Sequence, residues 1–231
     1  MSDDKTVLDH FCDNVKKFGD RVFMTQPMGG DKVVTYTFNE TMAEAKKLAG
    51  YMESLNLKGA QIAICSKNCA YWVIADLACM MSGNVSVPVY PTLTADTTRY
   101  ILEHSESKLI FIGKLDAHPW AEMKSGIPDG IPTVAFPLSP DDHGADKSWE
   151  EALKAAEPIK EPMKRKKSEM CTIIYTSGST GQPKGVMTSF GAMVDATRGI
   201  VKLIKVTNND RYLSYLPCAH GMERWLGVVS I

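Results

Sequence analysis

The sequence predicts an α/β fold, a mainly parallel sheet with helices on both faces, and three observations carry that expectation. From residue 61 onward, short β-branched apolar runs alternate with helical repeats across brief connections. One such run, at 171 to 176, leads into a Gly-rich stretch and then a helical pattern, the usual setting for phosphate binding in open sheets. The composition is that of an ordinary globular chain, with 231 residues, 44% hydrophobic and 23% charged. Such a length buries about 70 to 75% of the surface of the unfolded chain, so folding needs neither disulfides nor metals.

The elements follow in order. Val7, Leu8, Phe11, Cys12, Val15 and Phe18 recur at helical spacing over 6 to 18, and Gly19 supplies a stop. The polar face of this helix mixes Asp9, Asp13, Lys16 and Lys17, which favours a packed helix over a membrane-surface one. Extended runs at 21 to 25 and 33 to 38 flank the turn Met28-Gly29-Gly30-Asp31 and read as a hairpin. A helix over 39 to 55 is opened by Asn39 and carries Met42, Ala45, Leu48, Ala49 and Met52 on one side. Then come a strand at 61 to 65, a helix at 70 to 82, a strand at 85 to 90, a helix at 95 to 104 and a strand at 108 to 113. Trp72, Met80 and Met81 are assigned to the core.

Residues 114 to 168 break the rhythm with seven prolines, and they hold one strand at 131 to 136 and one short helix at 148 to 156. The run Lys164-Arg165-Lys166-Lys167 reads as a solvated loop. Regular structure returns with the strand at 171 to 176, a helix from about 190 to 203, a strand at 211 to 216 and a last helix from 219. The apolar run 226 to 231 has no cap or polar tail, so a boundary inside a longer protein is expected.

Several function classes recede. With 26 Lys+Arg against 27 Asp+Glu, the chain lacks the basic surplus that coating nucleic acid requires. No basic region precedes an apolar stretch at the start, and the tract at 70 to 81 is short and interrupted by Asp76, so a cytoplasmic location is expected. The six cysteines, at 12, 65, 69, 79, 171 and 218, form no C-x-x-C pair and read as free thiols in or near the core. His220 and Glu223 lie three apart on a helical stretch, but without a third ligand they do not make a metal site.

The chemistry lies in Tyr175-Thr176-Ser177-Gly178-Ser179-Thr180-Gly181-Gln182-Pro183-Lys184-Gly185. Glycines let a backbone approach an anion, while four hydroxyls and one ammonium supply donors without a carboxylate to repel it. A polyphosphate fits that inventory. A Walker loop does not, because Pro183 stands where its second Gly belongs and Gly185 where its Ser/Thr belongs. A nucleophile elbow is ruled out by Ser177 in place of the Gly before Ser179.

This string resembles the signature loop of the adenylate-forming (AMP-binding) ligases, the superfamily of acyl-CoA synthetases, luciferases and nonribosomal peptide adenylation domains. Further segments resemble the amino-terminal part of bacterial-type long-chain acyl-CoA synthetases in order and spacing. They are Tyr36-Thr37-Phe38-Asn39-Glu40, Ser66-Lys67-Asn68, Trp72 with Ile74-Ala75-Asp76-Leu77-Ala78, Val87-Pro88-Val89-Tyr90-Pro91-Thr92, Tyr100 to Glu106, and Leu216-Pro217-Cys218-Ala219-His220-Gly221-Met222-Glu223-Arg224. The resemblance covers nearly the whole chain, which is expected to be a partial amino-terminal domain, 1 to 231. The Y-G-x-T-E and T-G-D segments and the mobile carboxy-terminal domain would lie beyond it.

The resemblance implies a long-chain fatty-acid:CoA ligase using ATP, Mg2+ and coenzyme A, with this chain by itself inactive. The implied phosphate-binding residues are Thr176, Ser177, Gly178, Ser179, Thr180, Gly181, Lys184 and Gly185. Thr176 would also contact magnesium. Lys184, Thr176 and His220 are the implied catalytic residues, His220 lying beside the acyl pocket and adenylate. The partners implied are fatty acid, ATP and coenzyme A, with peripheral contact to the inner membrane face left open and no nucleic acid. A non-catalytic nucleotide-binding or interaction module derived from the same fold is the alternative.

Overall fold

The computed structural model describes residues 4–177 and 181–230. Helix α1, Val7–Phe18, is closed at its start by a capping box: the Asp9 N–H donates to Thr6 Oγ1 at 3.2 Å and the Thr6 N–H to the Asp9 carboxylate at 2.8 Å. Strands β1, Val22–Gly29, and β2, Lys32–Thr37, form a separate antiparallel hairpin. Helix α2, Phe38–Ser54, is capped by Thr37 and not by Asn39. Thr37 has Glu40 three residues on and completes the reciprocal box, whereas the Asn39 amide donates to Asp20 Oδ1 at 3.0 Å.

The main sheet has seven strands: β3, Gln61–Cys65; β4, Val85–Val89; β5, Leu109–Ile112; β6, Thr133–Ala135; β7, Lys147–Ser148; β8, Met170–Thr176; and β9, Lys184–Ser189. They lie in the order β7-β6-β5-β3-β4-β8-β9, every neighbouring pair parallel except the last. Alternation along β3 builds two cores. Ile62 and Ile64 point into the one shared by α1, α2 and α3, Ala70–Met81, while Ala63 and Cys65 point into the one beneath α4, Ala95–His104, and α5, Ala117–Met123. Helices thus cover both faces, as the alternation predicts. Helix α3 is buried nearly all round, Trp72, Met80 and Met81 included. All six cysteines are free, and all but Cys12 are buried.

Several expectations are corrected. Helix α5 is absent from the sequence reading because it contains Pro119, yet that proline sits in the first turn, where no backbone N–H is needed. The Lys164–Lys167 run is not uniformly solvated. The Arg165 side chain is 4% exposed, pairs with Glu169 at 2.7 Å, donates to the Met80 and Asn84 carbonyls and lies over the Phe190 ring. The glycine-rich loop joins β8 to antiparallel β9, not directly to a helix; α7, Phe190–Ile204, begins only at the far end of β9. Residues 211 to 216 form no strand, having no sheet neighbour among the described residues. Helix α6, Trp149–Lys154, lies within the span expected at 148 to 156, and the last helix, α8, is Gly221–Ser230. No helix among the described residues is long and apolar enough to cross a membrane.

Candidate functional site

A cleft of about 540 Å³ opens where β8 ends, and Tyr90, Tyr100, Tyr175, Thr176, Ser177 and His220 are among its walls. Its floor is held by Tyr175, only 4% exposed, whose hydroxyl meets His104 Nδ1 at 2.7 Å. The Tyr100 ring also packs on that imidazole, with centroids 5.2 Å apart. Burial pushes the Tyr175 phenol upward in pKa, so it stays neutral beside the cleft.

The hairpin register places Thr176 directly opposite Lys184 and Tyr175 opposite Gly185. Gly185 is required there because a Cβ would come within 2.9 Å of Ile173 Cγ2 and 3.2 Å of the Tyr175 ring. Gly181, at φ +88, turns the chain through the left-handed region beside the cleft. Thr176, Ser177 and Lys184 are all exposed at this tip. Among the described residues, Lys184 makes no ion pair. Gly178, Ser179 and Thr180 lie outside the described residues. His220 lines the same cleft. Its Nδ1 accepts from the Met222 N–H at 3.2 Å, which leaves the proton of the neutral ring on Nε2, ready to donate.

No group of three His, Cys, Asp or Glu side chains that could hold a metal occurs among the described residues. Magnesium bound through nucleotide phosphates needs only one or two protein oxygens, and the exposed Thr176 hydroxyl fits one such position. Asp96 also lines the cleft and is the one carboxylate among its described lining residues.

Sequence reasoning missed what holds the His220 wall. Asn68, just after β3, donates from Nδ2 to the Leu216 carbonyl and to Ser214 Oγ, both at 2.7 Å, and its Oδ1 accepts from the Cys218 N–H at 3.0 Å. Glu223 is not a metal ligand in waiting. It is 2% exposed and accepts from the Tyr212 and Ser214 hydroxyls, each at 2.5 Å. Burial, followed by the bond to Glu223, pushes the Tyr212 phenol upward in pKa. Arg224 is buried against Asp76 of α3 at 2.5 Å and lies over the Trp72 ring. Burial works against the Arg224 charge, yet the Asp76 carboxylate outweighs it and lifts the guanidinium above its ordinary pKa.

The structure is an α/β domain with a cleft at the end of β8, and comparison with known proteins specifies its class. The AMP-binding enzyme family matches residues 11–231, so the chain belongs to that adenylate-forming family. Long chain acyl-CoA synthetase 4 of Arabidopsis thaliana is 33% identical over 217 residues, covering 84% of this chain and 31% of that protein. Fatty acyl-CoA synthetase A of Dictyostelium discoideum is 31% identical, covering 84% and 30%. The chain thus spans about a third of the length of these curated relatives. Among solved structures, a long-chain-fatty-acid-CoA ligase from Archaeoglobus fulgidus superposes with a TM-score of 0.78 at 18% identity, over 97% of this chain and 44% of that one. The O-succinylbenzoate coenzyme A synthetase of Bacillus subtilis, in complex with AMP, gives 0.72 at 24% identity, over 98% and 54%. At such identities the likeness is one of fold.

Proposed function

We propose that this chain supplies the phosphate-binding part of a long-chain fatty-acid:CoA ligase. In the whole protein a carboxylate oxygen attacks the α-phosphorus of ATP, the bond to the bridging oxygen breaks, and pyrophosphate leaves with the electron pair. The sulfur of coenzyme A then attacks the acyl carbonyl carbon of the acyl-AMP, the C–O bond breaks so that AMP leaves with the electron pair, and the thiol proton is lost as the thioester forms. The observation that carries this reading is the pairing of Thr176 with Lys184 at the exposed tip of the β8–β9 hairpin, beside the cleft.

Charge grows on the leaving pyrophosphate during the first step. The Lys184 ammonium, together with the hydroxyls of Thr176 and Ser177, can meet it with fixed donors, and loss of one such donor costs other enzymes about 3 to 4 kcal/mol of barrier. Ser179 and Thr180 belong to the same proposed donor set, and Gly178, Gly181 and Gly185 give the phosphates access to the backbone. Magnesium, when bound, would offset phosphate charge, with Thr176 as one of its oxygen ligands. His220 would donate from Nε2 to the acyl-adenylate.

Fatty-acid-dependent exchange of labelled pyrophosphate into ATP tests this reading. The whole protein is expected to exchange and residues 1 to 231 alone are not. Tight ATP binding by the chain, with no exchange by any longer form, would favour a non-catalytic nucleotide-binding module.

A further inference from the structure

We infer that the Asn68 amide and the Asp76–Arg224 ion pair together position the 216 to 224 segment, and through it His220, against the phosphate loop. Residues 205 to 220 contain no helix or strand, so little in the backbone itself fixes where His220 stands. Asn68 compensates in a specific way. In a parallel ladder one residue offers its N–H to a carbonyl on the partner strand and takes an N–H from two residues further on. The Asn68 side chain does both, to Leu216 and Cys218, on either side of Pro217. A side-chain amide thus stands in for a missing strand at a point where proline could donate nothing.

Asn68 is itself fixed. Its neighbour Lys67 donates its N–H to the Lys114 carbonyl at 2.8 Å, and the Lys114 N–H donates to Ser66 Oγ at 2.8 Å, tying this turn to the residues just beyond β5. The second anchor lies just past His220. The Arg224 N–H donates to the His220 carbonyl at 3.2 Å, and its guanidinium pairs with Asp76, one residue past the middle of α3. Both anchors therefore belong to the same β3–α3 unit, one on each side of His220. Neither Asn68 nor Asp76 lines the cleft, so both are positioning residues.

Only the kinetic half of the test rests on the ligase reading. With the five histidines of the chain labelled at Cε1, Asn68→Ala is expected to shift or broaden the His220 resonance and leave those of His10, His118 and His143 in place. If Asn68→Ala does not fold, Asn68→Ser, which keeps one hydrogen-bonding group, takes its place. In the whole protein, Asn68→Ala should lower kcat for pyrophosphate exchange about tenfold to a hundredfold, the scale of a small misplacement of a catalytic group, with KM for ATP nearly unchanged. In a His220→Ala background the same substitution should cost less than about twofold, because it acts through His220. An unmoved His220 resonance, a matching rise in KM for ATP or fully additive losses would each overturn the inference. If the unsubstituted whole protein shows no exchange, the ligase reading fails and the resonance experiment still decides the bracket.

Discussion

Replacing Asp76 by Asn should be among the most destabilising single changes in this chain that removes no bulk. Asp76 and Arg224 are each 6% exposed, and Asp76 Oδ1 and Arg224 Nε have no hydrogen-bond partner among the described residues. The pair therefore does not recover all of its desolvation cost, but losing one partner is worse, because the other charge stays buried. At an effective dielectric of about 20, two unit charges about 4 Å apart attract by about 4 kcal/mol, in line with the ~3 to 5 kcal/mol lost when a buried pair is broken. For a chain of this length the unfolding entropy is about 0.5 kcal/mol per degree, so Asp76→Asn should lower Tm by about 6 to 10 °C in calorimetry. The double variant Asp76→Leu with Arg224→Met removes both charges and should regain most of that loss. A single variant melting within about 2 °C of the parent, or a double variant as unstable as the single, would refute this account of the pair.

Three further outcomes follow from the geometry. In the whole protein Lys184→Ala should cut pyrophosphate exchange by about a hundredfold or more while leaving the melt nearly unchanged, and near-normal exchange would remove Lys184 from the phosphate site. Gly50→Ala should destabilise the chain by more than about 2 kcal/mol in urea titration, since its Cβ would stand 2.0 Å from the Glu157 carbonyl oxygen, a backbone atom that cannot swing away. Burial pushes the Cys65 and Cys171 thiols up to about 12 from an ordinary 9.0, so the folded chain keeps protons that the unfolded chain releases. Their contribution is whole below pH 9 and is lost as pH rises toward 12, at about 1.4 kcal/mol per thiol per pH unit, so the urea midpoint should fall over that window and fall less steeply in Cys65→Ala.

The alternating part of the fold was legible because each strand there is buried on both faces and each helix carries its own apolar stripe. Strand β3 and helix α4 occupy the spans that the sequence predicts, and α3, β4 and β5 differ from theirs by one residue at one or both ends. Strand β9 was not legible. Its Val186 and Met187 are 49% and 74% exposed, so it lacks the buried alternation that marks the inner strands, and its first residues merge with the Gly-rich loop. The opposite error at 211 to 216 has the same root. Tyr212, Leu213 and Tyr215 have strand-forming character, but pairing is a property of neighbours, and no strand lies beside them among the described residues.

Residue types alone propose a chemistry for the loop, but its electrostatic setting depends on the fold. A strand running straight into a helix would have put a helix N-terminus, with its partial positive charge, against the phosphates. Six residues of β9 instead intervene before α7, a separation of about 20 Å at the rise of an extended chain, beyond the reach of a helix end. The N-terminus of α7 is therefore no part of the phosphate site proposed above, in which the loop's own donors are its amides, hydroxyls and Lys184. The helices that do begin at the cleft are α4, whose Asp96 and Thr97 line it, and α8, which starts directly after His220. His220 and its supports were beyond the sequence for a different reason. Asp76, alone in an apolar helix, signals that it needs a buried cation, but nothing local says that the cation is Arg224, 148 residues away. The loop is thus a local feature of the chain, and the His220 wall is a product of the fold.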